Sequence, residues 1–197
     1  CPLSRATLIS RMASLLVAMG LCGAAIAAAV EYPHVGENSL SAGGGGSCEY
    51  EYASHGGKPV VMSASCTITT ADLDTGSEPK KLEDDYVRTL GGHDGCSNDD
   101  AGHILANRLG GQAVPINLFP QSPHLNRGAW EKFERGIYAC LHKDGASSAK
   151  LSWTWEYSAS DSLRPSTATY SASYDGGCQP TSQNYSNACD EELYIHV

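Results

Sequence analysis

Two polar stretches near the middle of the chain contain side chains that could activate water and hold a metal ion. In "NDDAGHILANRLGG", Asn98–Gly111, the adjacent carboxylates Asp99 and Asp100 stand just before His103. Histidine is suited to accepting a proton from water near neutral pH. The second stretch, "NLFPQSPHLNRGAWEKFE", contains an asparagine-arginine pair and ends on a glutamate. This order predicts a catalytic base followed by ligands for a metal or a substrate.

Phosphodiester hydrolysis is one chemistry that such a minimal set can perform. Charge develops on the phosphoryl and leaving oxygens, and a hard divalent cation can neutralise it. Mg²⁺ keeps several of its waters and takes one or two oxygen ligands from the protein. Asn126 could supply one, although asparagine is also a favoured helix N-cap. Arg127 follows at once, where it could reach a phosphate.

Glu134 lies eight residues after Asn126 on the same predicted helix. At 1.5 Å per residue, the two are roughly 12 Å apart along the axis of a regular helix. That separation is too large for Glu134 to share the first shell of an ion bound by Asn126. We therefore expect Glu134 to hold a water or to orient a neighbour.

Taken together, "DDAGH" and "NLFPQSPHLNRGAWEKFE" resemble the motifs of the secreted DNA/RNA non-specific endonucleases, the ββα-metal or His-Me finger nucleases. That family carries Asp-Arg-Gly-His, then Asn-Leu-x-Pro-Gln, then Leu-Asn-x-Gly-x-Trp with a glutamate eight residues past the asparagine. The resemblance implies an α+β fold, in which an antiparallel sheet carries one ββα-metal motif. It also implies a metal-dependent, sugar-non-specific endonuclease that leaves 5′-phosphate ends on DNA and RNA.

The resemblance assigns roles to individual side chains. His103 would be the general base, Asn126 the protein ligand of one Mg²⁺, with Mn²⁺ as a substitute, and Glu134 would act on the ion through water. Asp100 would structure the loop of the base. Asn117 and Gln121 would shape the site, with Gln121 also among the substrate contacts.

The chain departs from the commonest motif at Ala101, where the family usually has arginine. That removes one candidate phosphate contact, and we expect Arg127 and Arg88 to replace it. Asp99 is interpreted as a turn residue, and Arg108 receives no role.

The first 29 residues are predicted to be a cleaved secretory signal peptide, with residues 1–11 as possible upstream sequence. Basic residues, a long apolar run and small residues follow one another there, as in export signals. Residues 30–47, with the run "GGGG", are expected to form a flexible arm before a single nuclease domain over 48–197. The alternative is a membrane anchor, but the apolar part, Leu15 to Val30, is a little short for a span and ends in a cleavage-type tail. The protein is therefore expected to be secreted, with no membrane partner.

Six cysteines remain after the signal, which favours three disulfides in an oxidising compartment. Of the fifteen possible pairings, sequence proximity and the expected strand pairing favour 48–66, 96–140 and 178–189. A zinc site is the alternative, but no CxxC spacing supports it.

Periodicity predicts the main elements. "CEYEYAS" and "KPVVMSASCTIT" form a hairpin, and "AKLSWTWEYSA" pairs with "STATYSASYDGG". A helix with one apolar stripe covers "HLNRGAWEKFERGIYACLHKDG". "GHILAN" is expected to be a short strand, whereas "TADLDTGSEPKKLEDDY" and "CQPTSQNYSNAC" are expected to be loops.

The formal net charge is −9, and loss of the signal, which carries Arg5 and Arg11, makes it more negative. Passive nucleic-acid binders are usually basic, so activity should depend on a metal and local arginines. The alternatives are a nuclease toxin or effector on the same scaffold, a phosphodiesterase for small nucleotides, and a non-catalytic secreted binding module.

Overall fold

The computed structural model describes residues 32–189, which fold into the predicted α+β architecture. Within this range an antiparallel sheet of six strands has the order β1-β2-β3-β6-β7-β8, and a second sheet pairs β4 with β5. The strands are β1 (Gly36–Ser41), β2 (Ser47–His55), β3 (Lys58–Thr69), β4 (Asp100–His103), β5 (Leu118–Gln121), β6 (Ser148–Glu156), β7 (Thr167–Tyr174) and β8 (Thr181–Ser186). The helices are α1 (Lys81–His93), α2 (Pro123–Leu125) and α3 (Glu131–His142).

The core lies between α3 and one face of the large sheet. The predicted apolar stripe of α3 is buried, together with alternate residues of β6 and β7. Tyr170 on β7 is at the centre, with ring centroids 4.6 Å from Phe133, 5.0 Å from Trp130 and 4.7 Å from Trp153. Truncating one of these rings to alanine would cost about 3–5 kcal/mol. The helix that carries the polar stretch is therefore held rigidly against the sheet.

The small sheet and the helix after it form the ββα unit that the resemblance implies. His103 at the end of β4 lies opposite Leu118, and Asp100 at its start lies opposite Gln121. The predicted strand "GHILAN" is displaced, since β4 begins earlier and ends at His103. Pro123 then begins α2, and Asn126–Trp130 adopt a π turn that continues directly into α3.

The polar segment predicted as a loop contains helix α1, so that prediction is wrong. Its buried residues, Glu83, Val87, Leu90 and Gly91, have the spacing of one helix face, but only two of the four are apolar. Glu83 accepts a hydrogen bond from the backbone N–H of Lys80 at 3.1 Å, which caps the first turn. Val87 packs on Ala101 and Leu118, so α1 covers the back of the small sheet.

Much of the predicted flexible arm is ordered. Residues Gly36–Ser41 form edge strand β1, which is paired along its length with β2. The glycine run then folds around buried Asp72, whose Oδ1 accepts the backbone N–H groups of Gly44 and Gly46 at 2.9 and 2.8 Å. A Cβ on Gly44 would lie 2.1 Å from the carbonyl oxygen of Ala71. The glycines therefore permit close backbone packing rather than flexibility.

Three disulfides join the described residues, and one of the predicted pairings is confirmed. Cys48 and Cys66 are direct partners across β2 and β3 and are bonded. The other two predictions are wrong, because Cys96 bonds Cys189 and Cys140 bonds Cys178. Between Cys178 and Cys189 lies β8, which was predicted as a loop; its six extended residues span about 20 Å, too far for the two ends to be bridged.

The predicted signal peptide, residues 1–29, lies outside the described residues. No helix within 32–189 has the length and apolar character needed to span a membrane. All six cysteines from Cys48 onward are in disulfides, which overturns the zinc alternative because no thiolate is available as a ligand.

Candidate active site

A polar cleft of about 570 Å³ opens between the end of β4, the following turn, and the π turn with the first turn of α3. It brings together four of the residues predicted from sequence: His103, Asn126, Arg127 and Glu134. The remaining lining residues are Asp74, Glu78, Ala106, Asn107, Arg108 and Glu131. The ββα unit therefore gathers the candidate base and the candidate metal ligands in one place.

The imidazole of His103 is fixed in a state suited to a base. Its Nε2 lies 2.9 Å from the carbonyl oxygen of Ser77. A carbonyl can only accept, so Nε2 carries the proton and Nδ1 of the neutral ring is left as an acceptor. Burial lowers the pKa of His103 from 6.5, against the opposing effects of the Ser77 carbonyl and of Glu78. The ring is consequently neutral at physiological pH.

Asp100 orients the amide of Asn126. Its Oδ2 accepts a hydrogen bond from Asn126 Nδ2 at 3.0 Å, and Arg127 binds the same carboxylate through Nε at 2.9 Å and an η nitrogen at 2.6 Å. Because a carboxylate accepts only, the amide nitrogen of Asn126 must face it. The carbonyl oxygen Oδ1 then points to the other side of the amide, where it can serve as a ligand. The expected role of Asp100 in structuring the loop of the base stays a prediction, whereas its hydrogen bonds in the structure are to Asn126 and Arg127.

The π turn at Asn126–Trp130 changes which residues share a helix face. In a regular α-helix an eight-residue separation rotates Glu134 about 80° past two full turns from Asn126. A π turn accommodates about one extra residue, so the separation acts as about seven residues, roughly 20° short of two turns. Both side chains accordingly line the same cleft.

Glu134 is a buried carboxyl in this wall, with 8% of the residue exposed. Burial raises its pKa to about 8, and nearby Glu131 acts in the same direction. The indole N–H of Trp130 and the guanidinium of Arg108 oppose the shift. A cation in the cleft would favour the charged form of this carboxyl.

Two predicted site residues support the cleft from behind. Asn117 is fully buried; its Oδ1 accepts from Tyr50 Oη and from the backbone N–H of Leu105, both at 2.9 Å, and its Nδ2 donates to the carbonyl of Leu105 at 3.0 Å. Asn117 thus fixes the backbone just after the base. Gln121 is also fully buried, and its carboxamide would collide with any Cβ at Gly102. The side chain of Gln121 is buried in this structure, and its predicted contact with substrate stays a prediction.

Arg88 lies exposed on α1, outside the set of residues that line the cleft. The cleft instead contains Asn107 and Arg108, to which the sequence motifs assign no role. They belong to a tight turn that ends at Gly110, where φ is +96°. A Cβ at the next glycine, Gly111, would lie 1.7 Å from the carbonyl oxygen of Leu105. The pair "GG" in "NRLGG" was the available signal that the chain turns back beside the base.

Asp99 is not a simple turn residue. It is 2% exposed and binds Arg164 through two hydrogen bonds, Nε to Oδ2 at 2.7 Å and an η nitrogen to Oδ1 at 3.0 Å. Arg164 also donates to the backbone carbonyl of Asn187. The side chain of Asn187 in turn accepts from the backbone N–H of Ser122 at 2.8 Å, just before α2. One buried network therefore joins the start of β4, the segment after β8 and the start of the helix.

The donor set fits a hard divalent cation. Asn126 offers an amide oxygen directed by Asp100, and Glu134 offers a buried carboxyl with no arginine or lysine ion pair among the described residues. Within residues 32–189 no group of three or more histidine, cysteine or acidic side chains is arranged to hold a metal. An ion here would keep most of its waters, as Mg²⁺ does when one or two protein oxygens bind it.

Two comparisons with known proteins bear on the family of this chain. The chain is similar to a protein described as a probable deoxyribonuclease, RhsA, from Dickeya dadantii (strain 3937), with 37% identity over 122 residues. The match covers 62% of this chain and 8% of that relative, so the chain corresponds to a small part of a much longer protein. The family model of the DNA/RNA non-specific endonucleases matches residues 63–176, which include both polar stretches. The chain therefore belongs to the DNA/RNA non-specific endonuclease family.

Proposed function

We propose that this nuclease is a secreted, Mg²⁺-dependent endonuclease that hydrolyses phosphodiester bonds in both DNA and RNA, with Mn²⁺ able to replace Mg²⁺. The observation that carries the proposal is the placement of a neutral imidazole and an oriented amide oxygen in one cleft. His103 presents Nδ1 because Nε2 is bound to Ser77, and Asn126 presents Oδ1 because its nitrogen is bound to Asp100.

The proposed reaction is an in-line displacement at phosphorus. His103 Nδ1 accepts a proton from water, and the water oxygen bonds to phosphorus while the bond to the 3′ oxygen breaks. The products are a 5′-phosphate and a 3′-hydroxyl, the latter taking up a proton. Asn126, with Glu134 through water, would hold Mg²⁺, which neutralises charge that develops on the phosphate oxygens.

The substrate assignment rests on two observations, the comparisons and the character of the cleft. The family description covers DNA and RNA, and the relative is described as a deoxyribonuclease. The cleft is polar, and Arg127 at its rim is 71% exposed, so that a polymer could reach it. The negative net charge means that few phosphates are neutralised by the protein, so the logarithm of the binding constant should fall only shallowly with that of salt concentration.

Secretion is proposed from the N-terminal sequence and from the three disulfides, which form and persist in oxidising compartments. N-terminal sequencing of protein recovered from the culture medium of an expressing host would test it. A new terminus near residue 30 is expected, and retention of residues 1–29 would contradict the assignment.

The decisive activity test incubates the protein with supercoiled plasmid and with RNA in Mg²⁺, in Mn²⁺ and in EDTA. We expect cleavage of both polymers with either metal and none in EDTA. His103→Ala should abolish cleavage, whereas His93→Ala, a change at an exposed histidine at the end of α1, should not. Intact plasmid and RNA in Mg²⁺ across pH and salt would refute the proposal and favour a non-catalytic binding module.

A second candidate is a nuclease effector that acts on another cell through the same chemistry. The observation that favours it is the match to the relative described as a probable deoxyribonuclease. The matched segment makes up only 8% of the length of that relative. Expression in a host cytoplasm, with His103→Ala as the inactive control, would separate the two physiological roles. Host death that depends on His103 would support an effector, and normal growth despite active nuclease in extracts would not.

A further inference from the structure

Arg108 is a cation in the cleft for which neither the sequence motifs nor the family match provides a role. It lies in the 3₁₀ turn Asn107–Leu109, and it lines the cleft together with His103, Asn126 and Glu134. Among the described residues no carboxylate forms an ion pair with it. A partly buried guanidinium without a carboxylate partner is available to bind an anion.

The other arginines are less suited to that task. Arg127 is bound to the Asp100 carboxylate through Nε and an η nitrogen, and its side chain is 71% exposed. Arg88 does not line the cleft. Ala101, which stands where the family usually has arginine, packs against Val87 and Leu118 beneath α1. Position 101 thus contributes no side chain to the cleft.

The guanidinium of Arg108 is held in place by an aromatic support. Its Cζ lies 5.9 Å from the ring centroid of Tyr138, within the range of a cation–π contact. The hydroxyl of Tyr138 donates to Asp74 Oδ2 at 2.7 Å, and the backbone N–H of Asp74 donates to the carbonyl of Arg108 at 3.0 Å. The three residues form a closed ring of contacts. Such preorganisation reduces the entropy lost when the arginine binds a ligand.

The location of this ring relative to the metal ligands is also informative. Tyr138 follows Glu134 by four residues, so it lies on the next turn of the same helix face. Arg108 and Glu134 line the same cleft, so the cation and this carboxyl share one polar surface. A phosphate near His103 and Asn126 would therefore lie between the metal ligands and this guanidinium.

We propose that Arg108, stacked on Tyr138, is the protein cation that binds the non-bridging oxygens of the phosphate undergoing attack. The planar guanidinium matches two phosphate oxygens through parallel N–H donors, and its charge opposes the negative charge of the transition state. The inference rests on the proposed nuclease function and names the substrate contact that replaces the arginine missing at position 101.

The test compares Arg108→Gln, Arg108→Lys and Tyr138→Phe, with Arg135→Gln as a matched control. Arg135 is exposed on α3, paired with Glu131 at 3.4 Å, and does not line the cleft. We expect Arg108→Gln to lower kcat/KM on a defined oligonucleotide about 100-fold, as for loss of one preorganised donor at a developing charge. Arg108→Lys should recover only part of that loss, Tyr138→Phe should lose less than Arg108→Gln, and Arg135→Gln should resemble the wild type.

A binding measurement separates substrate contact from a structural role. In the His103→Ala background, fluorescence anisotropy with the same oligonucleotide across salt concentrations should show that Arg108→Gln reduces the salt slope by about one. Thermal unfolding of each variant checks the fold. If Arg108→Gln does not fold, Tyr138→Phe provides the test instead, because it leaves the sequence of the turn unchanged.

Two failures are distinguishable. If the wild type cleaves DNA while Arg108→Gln keeps kcat/KM within about twofold and an unchanged salt slope, this inference is overturned and the nuclease function stands. A wild type that cleaves neither DNA nor RNA overturns both.

Discussion

Asp99 and Asp100 are neighbours in sequence, and each is bound by one arginine through two hydrogen bonds, yet the two pairs lie in opposite environments. The Asp99–Arg164 pair is buried, with side-chain exposures of 2% and 6%. The Asp100–Arg127 pair lies at the rim of the cleft, with 15% and 71%. In an extended chain, successive side chains point to opposite faces, so the dipeptide sends one carboxylate into the core and one to the site.

The contrast shows that the same chemical pair can serve two purposes according to burial. Removing one partner of a buried pair leaves an uncompensated charge, at a cost of about 3–5 kcal/mol. An exposed pair contributes only about 0–1 kcal/mol to stability. Asp99 therefore stabilises the fold around the site, whereas the importance of Asp100 lies in the direction it gives to Asn126.

The largest expected effect is on stability. Asp99→Ala should lower the free energy of unfolding by about 3–5 kcal/mol, because Arg164 is left buried without its counter-ion. Urea denaturation under non-reducing conditions measures this change. Asp100→Ala is the matched control and should lower it by no more than about 1 kcal/mol. Equal losses in the two variants would show that the two carboxylates are not divided in this way.

The next effect concerns the metal. Asp100→Ala should raise the Mg²⁺ concentration that gives half-maximal activity, or reduce activity, by about 10–100-fold, as seen for residues that orient metal ligands. The reason is that Asn126 loses the acceptor that fixes its amide. Asp161→Ala, at an exposed position outside the cleft, serves as control. Wild-type Mg²⁺ dependence in Asp100→Ala would rule out the orienting role.

A smaller loss is expected for Arg127→Ala. Asp100 still accepts the hydrogen bond from Asn126 in this variant, so kcat/KM should fall less than in Asp100→Ala and stay within about tenfold of wild type. Unfolding free energy should change by less than about 1 kcal/mol. If instead Arg127→Ala loses as much activity as Arg108→Gln, the earlier expectation that Arg127 binds phosphate would be the better one.

The smallest expected effect is a shift in the pH dependence of activity. It concerns His103, which lies at the other end of the strand that Asp100 begins. Because burial lowers its pKa from 6.5, activity should persist below pH 6.5 and fall only as pH drops through the lowered pKa, where the base becomes protonated. Glu78 raises the pKa of His103, so Glu78→Gln should move the acid limb to still lower pH. A pH profile of kcat/KM measures the shift, and Glu156→Gln is an exposed control. Movement of the limb to higher pH would contradict the assignment.

Features that depend on neighbouring residues could be predicted from the sequence. The apolar stripe of α3, the hairpin of β2 and β3, and the disulfide directly across it follow from local periodicity and register. His103, Asn126 and Glu134 could be found because each lies in a short motif.

Features that depend on distant partners could not be predicted. Arg164 lies 65 residues from Asp99 in sequence, so its ion pair with Asp99 and the position of Asn187 beside it are visible only in the fold. Helix α1 was missed because its buried face includes Glu83 and Gly91; a Cβ at Gly91 would meet the Asp99 carboxylate at 2.5 Å. The position of Arg108 in the cleft was not predicted because the residues that contact it, Tyr138 and Asp74, lie far from it in sequence.

The Cys96–Cys189 disulfide and the network beside it have a consequence for the order of events during synthesis. Their two cysteines are 93 residues apart, an interval that a ribosome takes roughly 5–20 s to translate. For the last part of that interval, the roughly 3–11 s between Glu134 and Cys189, a growing chain already contains the candidate base and the candidate metal ligands, but not yet the cysteine that closes this disulfide. The candidate reactive groups are therefore synthesised before the scaffold that holds them is complete.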